Sequence, residues 1–153
     1  MKPYRAKASL VIDAPAKRIY DLIADYHNGH PRIIPRRYFV SLDVESGGVG
    51  SGTIISFQMR IFGKVQSFRA AVSEPVPGRT LVETGLEPDG VVTTFDVTPM
   101  GGVGVSVIIT TDGKTQREGL IGTIERLLTK MFLERVYREE LKQLSNVAKQ
   151  DVN

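Results

Sequence analysis

The segment YFVSLDVESGGVGSGTIISFQMRI, residues 38–61, carries the pattern that decides the fold. Apolar side chains occupy every second position on both sides of a glycine-rich stretch: Tyr38, Val40, Leu42 and Val44 before it, and Ile55, Phe57, Met59 and Ile61 after it. A period of two is typical of a β-strand with one buried face. Glycine accepts the backbone angles of tight turns, so residues 47–52 are predicted to join the two strands as a hairpin.

The same alternation extends outward from this hairpin in both directions. Residues 37–112 contain six alternating segments separated by short turns rich in glycine and proline, and residues 79–86 are the least regular of them. A further strand is predicted at residues 4–13. Because no long helical pattern interrupts the six segments, they are predicted to form an antiparallel meander rather than a doubly wound parallel sheet.

Helical patterns flank the predicted meander. After the first strand, apolar residues recur at helical spacing and are then broken by glycine and proline: Ile19, Leu22, Ile23 and Tyr26, followed by Gly29, Pro31 and Pro35. Asp13 is a candidate cap for this helix. A short helical turn fits near residues 32–34. A long helix is predicted from residue 115 or 119 to residue 148.

The apolar stripe of the long helix changes face along its length. It begins as Leu120, Ile124, Leu127, Leu128 and Met131, and continues as Leu133, Tyr137, Leu141 and Leu144. The second stripe either packs within the same domain or forms a self-association surface. The sequence therefore leaves undecided whether the chain forms a homodimer. Arginines alternate with Glu118, Glu125, Glu134, Glu139 and Glu140, which predicts a solvated face.

Length and composition exclude several classes of protein. The chain has 153 residues, the size of one ordinary domain, which is predicted to span residues 1–153. The absence of cysteine excludes disulfide scaffolds, thiol catalysis and thiolate metal sites. Only His27 and His30 could contribute imidazole, so we expect no metal and no cofactor. Gly47 and Gly52 have the spacing of a phosphate-binding loop, but Thr53 follows where that motif needs lysine.

Charge and hydropathy limit the partners and the location. The net charge is +3, and no long basic stripe with interleaved aromatic residues is present, so we expect no nucleic-acid partner. No apolar run approaches the length of a signal peptide core or a membrane-spanning helix. We therefore expect a cytoplasmic protein. Arg32, Arg36 and Arg37 form the one basic cluster, which is either a solvated loop or a contact for anionic lipid headgroups at a membrane surface.

Three local stretches carry a resemblance to a known superfamily. They are Val11-Ile12-Asp13-Ala14-Pro15 followed by Ile19-Tyr20 and Asp25, then Glu45-Ser-Gly-Gly-Val-Gly-Ser-Gly-Thr53, then Thr94-Phe95-Asp96-Val97 followed by Gly101-Gly102. With this order of elements, over about residues 4–148, the chain resembles the START/Bet v 1-like (SRPBCC) superfamily and its polyketide cyclase/dehydrase group. Tyr20 stands where that superfamily often has tryptophan.

The resemblance implies an α+β helix-grip fold. A seven-stranded curved antiparallel sheet would wrap around the long C-terminal helix, with short helices between strands 1 and 2. A cavity between sheet and helix would hold a small apolar or amphipathic ligand. The residues predicted to line it are Tyr26, Ile34, Tyr38, Val40, Phe57, Met59, Phe68, Phe95, Leu120, Ile124 and Leu128.

Three functions are compatible with such a fold. The first is binding or carriage of a small hydrophobic ligand such as a lipid, a quinone or a polyketide-like molecule. The second is an enzyme of the cyclase or dehydratase type, in which His30, Tyr38 or Glu83 would move protons. The third is a protein-interaction module. The sequence leaves open whether His30 is an exposed loop residue and whether Glu83 is simply solvated or ion-paired.

Overall fold

The computed structural model describes residues 2–88 and 90–150, so residues 1, 89 and 151–153 of the predicted domain lie outside it. Within the described ranges the strands are β1 (Lys2–Ile12), β2 (Phe39–Ser46), β3 (Ile54–Ile61), β4 (Lys64–Val76), β5 (Thr80–Gly85), β6 (Val92–Pro99) and β7 (Val105–Thr115). The α-helices are α1 (Ala16–Ala24) and α2 (Gly119–Gln150). Short 3₁₀ turns lie at His30–Arg32 and Gly101–Val103.

The strands form one antiparallel sheet in the order β1-β7-β6-β5-β4-β3-β2. Strands β2 to β7 pair with their neighbours in sequence, as the predicted meander requires, and β1 pairs with β7 from Lys2 opposite Thr115 to Ile12 opposite Val105. The sheet curves around α2, which packs mainly on β1. The predicted α+β helix-grip architecture is therefore confirmed.

A β-bulge in β2 reverses part of the predicted alternation. Phe39 pairs with Met59 while Ser41 pairs with Gln58, so Val40 is an extra residue without a cross-strand partner. A one-residue offset moves the following side chains to the opposite face of a sheet. Val40 is consequently 44% exposed. The prediction that Val40 lines the cavity is wrong, and Phe39 faces the interior instead.

The two apolar stripes of α2 have opposite surroundings. The second stripe is buried at Tyr137, Leu141 and Leu144, so it packs within the fold and is not a self-association surface. The first stripe, which was predicted to face the cavity, is exposed at Leu120, Ile124, Leu127, Leu128 and Met131. The 32 residues of α2 span about 48 Å, whereas the 11 residues of β1 span about 36 Å, so the helix is longer than the strand on which it packs.

The exposed stripe does not make α2 a membrane helix. Across residues 2–88 and 90–150, no helix combines the length and the apolar character needed to cross a bilayer. From Glu125 onward, charged residues are interspersed among the apolar residues of α2.

Two leucines on α2 provide a matched test of this packing. Leu141 is 1% exposed and Leu128 is 47% exposed. We expect Leu141→Ala to lower the free energy of unfolding by about 2–5 kcal/mol, because it leaves a cavity in the core. Leu128→Ala should change it by less than about 1 kcal/mol. Urea denaturation followed by circular dichroism measures both, and equal losses would show that the first half of the helix is also packed.

Candidate functional site

An apolar cavity lies between the concave face of the sheet and the C-terminal half of α2. Its lining is mostly apolar, with a small set of polar groups: His30, Ile34, Phe39, Leu42, Ile55, Phe57, Met59, Glu83, Thr93, Phe95, Tyr137 and Glu140. Its volume is about 60 Å³. That is room for a few water molecules, and it is well below the roughly 300–1,000 Å³ of typical small-molecule pockets.

The structure brings together some of the residues predicted to line this cavity and separates others. Ile34, Phe57, Met59 and Phe95 line the cavity, together with the proton-transfer candidates His30 and Glu83. Tyr26 is buried behind Glu83, and Phe68 lines a neighbouring groove. Tyr38 does not line the cavity, because its ring packs edge-on against Phe132 at 5.4 Å. Val40, Leu120, Ile124 and Leu128 are exposed and lie outside it.

The chain reversal after α1 places His30 inside the protein. α1 begins after Pro15, without a side-chain cap from Asp13, and ends at Ala24. The carboxylate of Asp25 then accepts hydrogen bonds from the backbone amides of His27 and Asn28, both at 3.0 Å. This turn directs the chain back beneath α1.

His30 is buried, not an exposed loop residue. Its Nδ1 lies 2.7 Å from the carbonyl oxygen of Ile23. A carbonyl only accepts hydrogen bonds, so Nδ1 carries the proton and Nε2 is left for other partners. The ring stacks on Tyr26 with centroids 4.5 Å apart and meets the edge of Phe95 at 5.7 Å. Packing on both sides fixes the direction of Nε2.

Two carboxyl groups from different elements face Nε2 of His30. Oε2 of Glu83, on β5, and Oε1 of Glu140, on α2, each lie 3.9 Å away from it. The hydroxyl of Tyr26 donates a hydrogen bond to Oε2 of Glu83 at 2.6 Å. These four side chains, His30, Glu83, Glu140 and Tyr26, are called the acid cluster below. Glu83 is mostly buried, with 14% of its side chain exposed, and its carboxyl group faces His30 and Tyr26.

Burial shifts the protonation of the acid cluster. Burial raises the pKa of Glu140 well above its usual value, and the nearby charge of Glu83 raises it further. The protonated form of Glu140, an uncharged hydrogen-bond donor, is thereby favoured. Burial also raises the pKa of the Tyr26 hydroxyl, with Glu83 as the second cause. Tyr26 thus remains a donor to Glu83.

A chain of hydroxyl groups borders the same cavity. The Tyr137 hydroxyl contacts Oγ1 of Thr111, which lies 2.8 Å from Oγ1 of Thr93. Tyr137 and Thr93 line the cavity directly. Burial raises the pKa of Tyr137, so its hydroxyl stays protonated. Thr93 and Tyr137 therefore present uncharged hydroxyl groups to the cavity.

Among the residues that the structure describes, neither lysine nor arginine lines the cavity. In the basic cluster of Arg32, Arg36 and Arg37, Arg37 pairs with Glu139 at 3.3 Å and Arg36 is exposed. None of the three arginines contributes to the cavity wall. In the part of the chain that the structure describes, no group of three or more histidine, aspartate and glutamate residues has an arrangement that could hold a metal ion.

Sequence reasoning missed several residues of this site. They are Phe39, Leu42, Ile55, Thr93, Tyr137 and Glu140. Glu140 was predicted to be solvated, yet it is 2% exposed. A signal was present, because Glu140 follows Tyr137 by three residues and precedes Leu144 by four, which places it on the buried stripe.

The buried carboxyl of Glu140 should make stability depend on pH. The folded protein holds this proton at pH values where the unfolded chain has released it, because the folded-state pKa is the higher one. Stability should therefore fall as pH rises from about 4.5 through the folded-state pKa. Glu140→Gln removes this loss, so its advantage over the wild type should grow with pH by up to about 1.4 kcal/mol per unit. Urea denaturation from pH 5 to pH 9 measures the difference.

The adjacent residue supplies the control for this experiment. The carboxylate of Glu139 faces Arg37 near the surface. Glu139→Gln should keep the pH dependence of the wild type. Parallel stability curves for the wild type and Glu140→Gln would contradict a raised pKa at Glu140.

Comparisons with solved structures place this geometry among known folds. The KanY protein, solved by NMR, is 26% identical with a TM-score of 0.81, over 97% of this chain and 99% of its own. The Zhui aromatase/cyclase from Streptomyces sp. R1128 is 16% identical with a TM-score of 0.80, and the match covers 99% of this chain and 97% of the aromatase/cyclase. A START superfamily protein from Mycobacterium smegmatis is 16% identical with a TM-score of 0.74, and the match covers 97% of this chain and 99% of that protein.

The sequence alone gives no such match. No protein-family model and no curated protein matches it. The likeness therefore rests on the arrangement of the strands and helices over almost the full length of the compared chains. This chain has the helix-grip fold of the START/Bet v 1-like (SRPBCC) superfamily, a fold that it shares with polyketide aromatase/cyclases.

Proposed function

We propose that this protein binds a small, uncharged amphipathic ligand in the cavity between the sheet and α2. The observation that carries the proposal is the combination of an apolar wall with the acid cluster and no lysine or arginine in the lining. A ligand carboxylate or phosphate placed there would meet Glu83 without a compensating cation, which is costly in an apolar surrounding. A hydroxyl or carbonyl group would instead find partners.

The polar groups suit a ligand that both donates and accepts hydrogen bonds. Protonated Glu140 donates to a carbonyl oxygen, while Nε2 of His30 accepts from a hydroxyl group. The distance of 3.9 Å from Nε2 to each carboxyl oxygen is too long for a direct hydrogen bond. It leaves space for an oxygen atom lying about 2.8 Å from both partners.

The neighbouring folds support a ligand-binding role. The aromatase/cyclase and the START superfamily protein have the same arrangement of sheet and helix over nearly their whole length. Among the ligand classes considered, a quinone or a polyketide-like molecule agrees better with the neutral wall than an anionic lipid does. Apolar surface that the ligand buries would contribute about 25 cal/mol per Å².

A pair of fluorescent probes tests the preference for uncharged ligands. Prodan is neutral and carries a carbonyl group, whereas 8-anilinonaphthalene-1-sulfonate is an anion of similar size. We expect Prodan to bind at least about tenfold more tightly, a difference of about 1.4 kcal/mol. Fluorescence titration gives both dissociation constants.

Variants connect this preference to the acid cluster. Glu83→Gln should reduce the difference in affinity between the two probes, because it removes a negative charge from the cavity wall. Glu139→Gln removes a negative charge at the surface and should leave this difference in affinity unchanged. Equal or tighter binding of the anionic probe to the wild type would overturn the proposal.

A second candidate function is acid–base catalysis of dehydration. It is favoured by the position of His30 Nε2, 3.9 Å from the carboxyl group of Glu140, whose pKa burial raises. With a β-hydroxyketone in the cavity, Nε2 would take a proton from the carbon next to the carbonyl. A double bond would form as the hydroxyl leaves with the Glu140 proton as water, and the proton on His30 would then return to Glu140.

A simple substrate makes this reaction measurable. Dehydration of 4-hydroxy-4-phenylbutan-2-one gives a conjugated enone that is followed by its ultraviolet absorbance. We expect Glu140→Gln to lower kcat by roughly 10²–10⁴-fold, the usual contribution of a general acid. Tyr38→Phe, which alters a tyrosine outside the cavity, should retain the activity. Equal effects of the two substitutions would contradict the assignment of Glu140 as the acid.

A further inference from the structure

A second apolar space lies beside the cavity, toward the N-terminal half of α2. This outer groove has a volume of about 110 Å³ and is lined by Tyr4, Phe57, Met59, Ile61, Phe62, Phe68, Val91, Thr129, Phe132 and Leu133. Phe57 and Met59 line both the groove and the inner cavity. These two side chains of β3 are therefore the shared wall between two spaces that are each too small for a typical ligand.

The two side chains of the shared wall differ in their freedom to move. The ring of Phe57 is held between Phe39, with centroids 6.1 Å apart, and Phe68, stacked at 5.4 Å. Met59 has an unbranched side chain with three rotatable bonds, which adapts readily to a neighbour. Of the two side chains in the shared wall, Met59 is therefore the one that a ligand would displace more easily.

The groove lacks the acid cluster of the inner cavity and is more uniformly apolar. Its wall is formed mainly by aromatic and aliphatic side chains, and among the described lining residues side-chain oxygen atoms occur only on Tyr4 and Thr129. At its edge, Phe62 has a backbone φ of 49°, in the left-handed region that side chains other than glycine rarely adopt. This turn holds the Phe62 ring against Phe132, with centroids 5.2 Å apart.

We propose that the cavity and the groove are two parts of one site, with Met59 as the displaceable partition. The ligand is then an extended uncharged molecule with a hydrogen-bonding carbonyl or hydroxyl head at Glu140 and an apolar, ring-containing body in the groove. This proposal rests on the proposed ligand binding and adds to it the shape and polarity of the ligand.

Probes of two lengths distinguish one site from two. Phenol has a hydroxyl head and one ring and is matched to the inner cavity, whereas Prodan has a carbonyl head and is long enough to need both spaces. In the unmodified protein we expect phenol to displace Prodan competitively in a fluorescence titration. Simultaneous binding of both probes would overturn the proposal of one site while leaving ligand binding itself intact. Failure of both probes to bind would overturn the proposed function as well.

Substitutions at Met59 test the partition directly. Met59→Ala should tighten Prodan binding by about tenfold and change phenol binding by less than about threefold, because only the longer probe has to displace the side chain. Met131→Ala is the matched control, since Met131 is 54% exposed and lines neither space. Equal Prodan affinities of the two variants would overturn the role of Met59.

A measurement on the unmodified side chain avoids the risk that Met59→Ala destabilises the core. The chain has four methionines, so the ε-methyl signals of a ¹³C-methionine-labelled sample can be assigned individually. Prodan should shift the Met59 signal strongly and leave the Met131 signal in place. An unchanged Met59 signal at saturating Prodan would contradict displacement of the partition.

Discussion

The packing of the C-terminal half of α2 into the concave sheet is the constraint on which the rest of the structure depends. Val136, Leu141 and Leu144 are almost fully buried there, and burial of each such side chain contributes about 1.5–3 kcal/mol. Because helical residues three or four apart share a face, the same packing also carries Tyr137 and Glu140 into the interior. The acid cluster is therefore a consequence of how the fold is held together.

The stability of the fold does not account for the acid cluster. A carboxyl group in an apolar wall costs free energy even when it is protonated, and a second carboxyl at Glu83 increases that cost. A well-packed apolar side chain at either position would be neutral or stabilising. Groups whose pKa is raised by burial and by a like charge within a cavity are typical of functional sites, which favours a ligand or a reaction at this place.

The strands and the site differed in how far the sequence could predict them. Alternation of apolar residues is a local property, so the meander and the turn at residues 47–52 could be predicted well. The bulge at Val40 depends on the register between β2 and β3, which no single strand encodes. The environment of His30 likewise depends on the carbonyl of Ile23 and on carboxyl groups 53 and 110 residues further along the chain. Among the missed residues, Glu140 could have been predicted from its place on the buried stripe of α2.

In the proposed site, the acid cluster at one end and the displaceable side chain of Met59 have a joint consequence for ligand selectivity. A short polar molecule would satisfy the acid cluster but gain little apolar burial, and a purely apolar molecule would leave Glu140 and His30 without partners. Only a ligand with both parts gains enough from the groove to offset displacement of Met59 while keeping the inner hydrogen bonds. The same requirement applies to catalysis, because the apolar body would hold the reacting carbons between His30 and Glu140. The proposed binding and the proposed dehydration would thus be successive demands on one arrangement of residues.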